Sequence, residues 1–583
     1  MKKFSLLTSF IMLVNVLLAQ SIDEGKKFLN YERYTSANDI FSKLLAADPN
    51  NVDAAYWLGQ TYLQNQDNPD SLAAKALYQK TLQANPNAPL MLVGMGEIDL
   101  MEGRKDEARN KFETAISLTK KRDREDILLP IGRANIDARN GDTHYAIDKL
   151  NEAADMDKKN AEIQIALGDA YRKLIDGANA TTAYQNALNL DPKNARADFM
   201  IGRIYETQGY GQEAIYMKYY NDAIAADPNF APVDYWLYNY YYKRDVNKAK
   251  EYLTKYIAVS DNDSKNCYFE ASLEFVSQRY QQAIDKSNQC ITAGGNKAFP
   301  NLYGLKAYSY DKLGDSLNAK KYFEEFFAKV NPDKIGPNDY ATYGRVLLKL
   351  GGNDSLETVK NDSLASVYIG KAIALDTVPA NKLDYVQSTA ASLIDAKKYA
   401  QGAAWYTKIL TLKPDYGKVD LYYAGYNDYR GSEYVKADSI FGLYMTKYPE
   451  DPFGAYMRGR SAEGIDTTGA QGLARPYYQK VIDIYDTATD KSTVKNYIIP
   501  SYRYLLAYSY NIQKNKDAAL DYNSKILAID PTDATALKTQ EALSGIKQKI
   551  KTDDEGNVTK EKTKTDSTKV KVKDGKTKTK DKE

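Results

Sequence analysis

The sequence predicts an all-α chain: a right-handed superhelical solenoid of about fourteen helix-turn-helix repeats, ended by a C-terminal capping helix. Three observations predict it. Small residues recur along the chain at a nearly constant interval. An alanine follows each of them by one helix and a turn. A proline often closes the unit. The length agrees, since 583 residues are too many for one compact core.

Residues 161–194, AEIQIALGDAYRKLIDGANATTAYQNALNLDPKN, show the unit in full. Tyr171 follows Gly168 by three positions and Ala180 follows it by twelve, with Tyr184, Ala187 and Pro192 after that. The first, small column continues as Gly25, Gly59, Gly96, Gly132, Gly202, Ala271, Ala307, Gly344, Ala390, Gly425, Gly459 and Ala507, with Tyr238 in one aberrant unit. The second column holds Ala37, Ala74, Ala108, Ala146, Ala180, Ala214, Ala249, Ala283, Ala319, Ala365, Ala437, Ala474 and Ala519, with Gly402 once. A bulky residue stands four beyond it, as at Phe41, Tyr78, Phe112, Phe323, Phe441 and Tyr478. The pattern resembles the tetratricopeptide repeat.

Physical chemistry gives the columns a purpose. Antiparallel helices approach closely where neither carries a large side chain, so Gly168 is expected to face Ala180 while the aromatic columns fill the wider space. Proline beyond the second helix cannot extend it. Each hairpin leaves an apolar face that only a neighbour can bury, so the units must stack.

Around this array the sequence reads as follows. Residues 1–19 form a secretory leader: Lys2 and Lys3, a mostly apolar run, and cleavage after Ala19. Residues 20–350 form an N-terminal array, 351–364 an insertion or hinge, and 365–532 a C-terminal array. Residues 533–551 are expected to be the capping helix. Residues 552–583 contain ten lysines, eight acids and no aromatic residue, a charged tail that buries too little apolar surface to order.

Composition argues against several kinds of chemistry. The formal net charge is +2, and loss of Lys2 and Lys3 with the leader leaves the chain neutral, with no global attraction for nucleic acid. A single histidine, His144, removes the most versatile acid–base group and the commonest metal ligand from almost every site. No phosphate loop, metal set or nucleophile triad is recognisable, so no enzyme activity and no cofactor are expected. Export places the two cysteines, Cys267 and Cys290, where a disulfide can persist, and the columns bring them together within one hairpin; a pair of buried thiols is the alternative.

The resemblance implies that extended peptides or protein surfaces bind the concave side, lined by first helices. Residues three before, one after and four after the small column share a helix face. That face carries Tyr235, Asn239 and Tyr242 beside Lys243 in one unit, and Tyr422, Tyr426 and Tyr429 beside Arg430 in another. Tyrosine offers a flat apolar face and a hydroxyl at low entropy cost. With 50 tyrosines in the chain, many must be repeat core. The expected function is a periplasmic or cell-envelope scaffold that binds partner proteins or peptides. The alternative is a glycan- or peptidoglycan-binding module using the same tyrosines. Asp followed by Ser or Thr and then a small, aliphatic or Thr residue resembles an O-glycosylation signal of exported bacterial proteins. Its hydroxyl residues are Ser71, Ser316, Ser355, Ser363, Thr377, Ser439, Thr467, Thr487 and Ser567, and helix capping is the competing explanation.

Overall fold

A computed structural model describes residues 21–65, 69–350, 355–491, 494–552 and 558–564. The leader read at 1–19, Ser567 and residues 565–583 of the tail lie outside the described residues. Among the described residues there are twenty-nine α-helices and two short strands. The helices alternate as the first and second members of hairpins, most of them 13 or 14 residues long. The chain divides into two compact units, Met1–Leu313 and Gly314–Glu583.

Local chemistry starts these helices. Asp or Asn stands at many N-caps and accepts a backbone N–H two or three residues on, as Asp142 does from Tyr145 (3.1 Å) and Asn194 from Ala197 (3.0 Å). Turns between the paired helices use the left-handed region, taken by Gly103 and Gly314 but also by Ile175 at φ 61°.

The small column works differently from the expectation. A Cβ on Gly168 would lie 2.4 Å from the Tyr184 ring, and one on Gly25, Gly96 or Gly425 would similarly crowd Phe41, Phe112 or Phe441. The aromatic of the second helix therefore lies over the glycine, and the alanine one turn earlier seals the crossing beside it. This geometry also corrects one unit. Gly202 is covered by Tyr220, and one turn before it stands buried Tyr216, not Ala214, which is exposed. The extra residues near 210, which form a short 3₁₀ turn at Tyr210–Gln212, move Ala214 out of register.

Three boundary expectations change. Residues 351–354 lie outside the described residues, but from Ser355 the supposed insertion is the start of one 21-residue helix, Ser355–Leu375. The division between units falls after Leu313 instead. The capping helix runs only from Ala534 to Ser544, where Gly545 adopts φ 70° and stops it. Beyond it, β1 (Ile546–Thr552) pairs antiparallel with β2 (Val558–Lys564), so part of the expected disordered tail is a hairpin.

The N-terminal unit folds back on itself. Its first hairpin, helices Ile22–Asn30 and Tyr34–Ala47, reaches residues about two hundred positions further along the chain. Tyr31 donates its hydroxyl to Asp227, and its ring meets Phe230 edge-on at 6.2 Å. Asp261 accepts from the Thr35 N–H (2.8 Å), the Ser36 N–H (3.3 Å), the Ser36 hydroxyl (2.5 Å) and Arg33 Nε (3.3 Å). The second helix has no cap of its own, so Asp261 supplies it from across the unit.

Candidate binding faces

The first tyrosine stripe is largely packing. Tyr235 sits among Tyr238, Tyr256 and Phe269, with ring centroids 6.2, 5.2 and 5.4 Å away. Tyr242 packs edge-on against Tyr238 and donates its hydroxyl to the Ser272 carbonyl (3.1 Å). Only Asn239 and Lys243 are exposed, and the Asn239 amide turns back to the Tyr235 carbonyl (2.8 Å).

In the second stripe Tyr422 is exposed, while Tyr426 and Tyr429 are half-buried. Tyr422, 37% exposed, stacks on Tyr426 at 5.2 Å and leans on Phe453 at 5.5 Å. Phe453 passes the contact to Tyr497, and Tyr497 to Tyr456 at 5.2 Å. Tyr429 accepts from Arg460 (2.8 Å), whose other amino group reaches Tyr456 (3.4 Å). Arg430 turns aside to lie over the Tyr399 ring and donate to its hydroxyl (2.7 Å). Three first helices, Lys418–Arg430, Pro452–Ile465 and Lys495–Asn511, thus share one aromatic face with a guanidinium in it.

A third feature was missed by the sequence reasoning. Inside the N-terminal unit the folded-back hairpin borders a half-open pocket of about 410 Å³. Tyr56, Trp57, Gln60, Arg133, Arg196 and Phe230 are among its walls. Arg196 bonds Asp169 (2.9 Å) and approaches Asn30 (3.5 Å), while Arg133 bonds Glu162 (2.9 Å). Tyr184 also donates to Asp169 (2.6 Å). Burial opposes the Asp169 charge, but Arg196, Arg133 and the Tyr184 hydroxyl outweigh it and hold the carboxyl below its ordinary range. Beneath Gln60 lies Glu97, 3% exposed, accepting the Gln60 amide at 2.5 Å. Burial, reinforced by the Asp137 carboxylate and only partly opposed by Gln60, pushes Glu97 up to about 8. The sequence did carry a signal, since Glu97 and Asp99 interrupt the otherwise apolar helix PLMLVGMGEIDLM.

Cys267 and Cys290 are joined, their Cα atoms 5.9 Å apart, across the Ser264–Val276 and Tyr280–Gly294 hairpin. The Asp-Ser/Thr positions fall into distinct settings. Ser71 and Ser316 open helices capped by Asp70 and Asp315, and Ser355 opens another. Ser363 is not at a helix start, where capping would place it, but exposed within Ser355–Leu375. Ser439 is also within a helix and donates to the Val435 carbonyl (3.0 Å). Thr487 ends its helix, donating to the Asp483 carbonyl (3.1 Å). Thr377 and Thr467 are exposed in loops. Among the described residues no acidic or sulfur cluster suits a metal, and no helix is long and apolar enough to cross a membrane.

The tetratricopeptide-repeat family matches over residues 22–89, 165–229 and 300–327. Those segments of the chain are tetratricopeptide repeats. The chain is 26% identical over 195 residues to human tetratricopeptide repeat protein 6, a match covering 33% of this chain and 36% of that relative. The match thus spans about a third of the relative's length. Among solved structures, the C-terminal part of a repeat-containing protein from Cytophaga hutchinsonii is 28% identical, with 46% of this chain and 97% of that one covered and a TM-score of 0.29. A tetratricopeptide repeat protein from Parabacteroides merdae is 16% identical (52% and 98% covered, TM-score 0.29), and yeast Tom70 is 12% identical (70% and 95%, TM-score 0.34). Tetratricopeptide folds generally mediate protein–protein interaction and are generally scaffolds without enzymatic activity.

Proposed function

We propose that this chain is an exported adaptor of the cell envelope that holds partner proteins or peptides on its first-helix faces. One observation carries the reading: the continuous aromatic face, exposed at Tyr422 and half-buried at Tyr426, Phe453, Tyr456 and Tyr497, with Arg460 among them. Large rigid rings with a guanidinium are the side chains that dominate protein interfaces. A sugar ring would need a bare aromatic face, whereas Tyr422 is stacked by Tyr426 at an interplanar angle of 13°, so the protein reading has the better support. The export half of the proposal rests on the leader pattern at 1–19.

The test combines Tyr422→Ala with Tyr426→Ala in the full chain and measures capture of envelope proteins. Loss of two interface tyrosines should weaken capture roughly tenfold or more. Helical circular dichroism should be unchanged. Undiminished capture, or a loss of helicity, removes the tyrosines from the interface. Fractionation of cells producing the full chain tests export: the adaptor should leave the cytoplasm with its leader removed.

A further inference from the structure

Arg458 and Arg460 stand two residues apart on the Pro452–Ile465 helix, and their surroundings differ in kind. Arg458 holds Asp438 through two bonds (2.8 and 2.9 Å). Arg460 has only phenols. Its amino groups donate to Tyr429 (2.8 Å) and Tyr456 (3.4 Å), and among the described residues it forms no ion pair. The acids around the face are already taken. Asp451 accepts from Lys418 (2.7 Å), the Tyr444 hydroxyl (2.8 Å) and the Phe453 N–H (3.0 Å). Glu463, one turn beyond Arg460, accepts from the Tyr478 hydroxyl. A phenol oxygen is a neutral acceptor, so neither tyrosine offsets the charge of the guanidinium. While the face is wet this costs little. Once a partner covers it, the charge loses its solvent and needs a counter-ion in its place.

We propose that the partner segment held on this face carries an acidic side chain, Asp or Glu, whose carboxylate bonds Arg460, and an apolar side chain about three residues away that rests on Tyr422 and Tyr426. A planar guanidinium presents paired N–H donors that match a carboxylate, and here the two tyrosines fix its position. The Lys418–Arg430 helix sets the spacing. Tyr429 lies seven residues after Tyr422, about 10 Å of helix, which about three residues of extended chain span. Arg460 stands at the Tyr429 end and the exposed Tyr422 ring at the other. An uncharged segment would bury Arg460 without an anion, and a basic one would set like charge against it, so the face selects against both. The inference rests on the reading of this face as the partner site and adds the chemistry of what is held there.

The probe is a random-peptide library displayed on phage and panned against the full chain. Clones whose binding is lost with Tyr422→Ala and Tyr426→Ala define the face. Among them Asp or Glu should be enriched about three positions from an aromatic or aliphatic residue. One such peptide is then made with its acid and with the matching amide. Each is titrated by fluorescence polarisation against wild type and Arg460→Gln. Loss of the acid should weaken binding to wild type roughly tenfold or more, and Arg460→Gln should weaken the acidic peptide as much. The acid-to-amide change should then matter little in Arg460→Gln, because both changes remove one interaction. Tyrosine-dependent clones with no acid enrichment overturn the inference and leave the partner-binding reading of the face standing. An acid whose removal costs the same in both proteins also overturns it. Should Arg460→Gln lose its helical circular dichroism, the amide peptide on wild type decides alone, and unchanged affinity overturns the inference. If no clone depends on Tyr422 and Tyr426, the partner-binding reading itself fails, and the acid requirement falls with it.

Discussion

Glu97 makes the stability of the N-terminal unit depend on pH in a direction opposite to most carboxylates. It is almost fully buried in the Pro89–Met101 helix, accepts from Gln60, and feels Asp137. Its carboxyl is therefore raised from about 4.5 to about 8. The folded chain holds this proton more tightly than the unfolded chain, so the contribution is fully present below pH 4.5. It is lost as the pH rises towards 8. At 1.36 kcal/mol per pH unit the whole span is worth about 5 kcal/mol, of which about 3 kcal/mol is already lost at pH 7. Glu97→Gln keeps an acceptor for the Gln60 amide and cannot ionise. We expect the wild-type unit to melt at progressively lower temperature from pH 5 to pH 8 and the variant to lack most of that slope. Thermal melts followed by circular dichroism at several pH values measure the difference. Asp137→Asn should recover part of it by lifting the like charge. Parallel pH profiles for wild type and Glu97→Gln would refute the reasoning, because the buried carboxyl would then not be titrating in that window.

Two further substitutions test the hairpin. Gly168→Ala places a methyl group against the fully buried Tyr184 ring, and overpacking should cost about 1–3 kcal/mol, seen as a lower melting temperature. Ile175→Gly relieves a β-branched residue held at φ 61° and 93% exposed, where Gly103 and Gly314 serve in other turns. A gain of about 1 kcal/mol is expected, and a loss would mean the isoleucine contributes packing that its exposure hides.

The parts of this structure that repeat were legible, and the parts that do not repeat were not. Periodicity located the helices because every hairpin must solve the same crossing, and Gly168 with Ala180 and Tyr184 is one solution used many times. It did not say which column lies over the glycine, because a spacing of sixteen residues and one of twelve are equally regular. The sixteen-residue partner, Tyr184, covers it. A two-residue insertion near 210 was enough to misassign Ala214, since the columns carry no marker of register other than residue size. The tyrosine stripes show the same limit at a binding face. Helical spacing put Tyr235 and Tyr422 at equivalent positions, but burial depends on what the neighbouring elements bring: Tyr256 and Phe269 cover the first, while the second, beside Tyr426 and Phe453, stays exposed. The fold-back of the first hairpin lies furthest from sequence reading. Asp261 and Thr35 are 226 residues apart, and an aspartate in a loop looks like an ordinary local cap until the chain returns to it. Gly545 carried a stop signal that the expected helix to 551 passed over: glycine takes the left-handed region at no steric cost, so the cap ends at Ser544 and the following residues pair as strands.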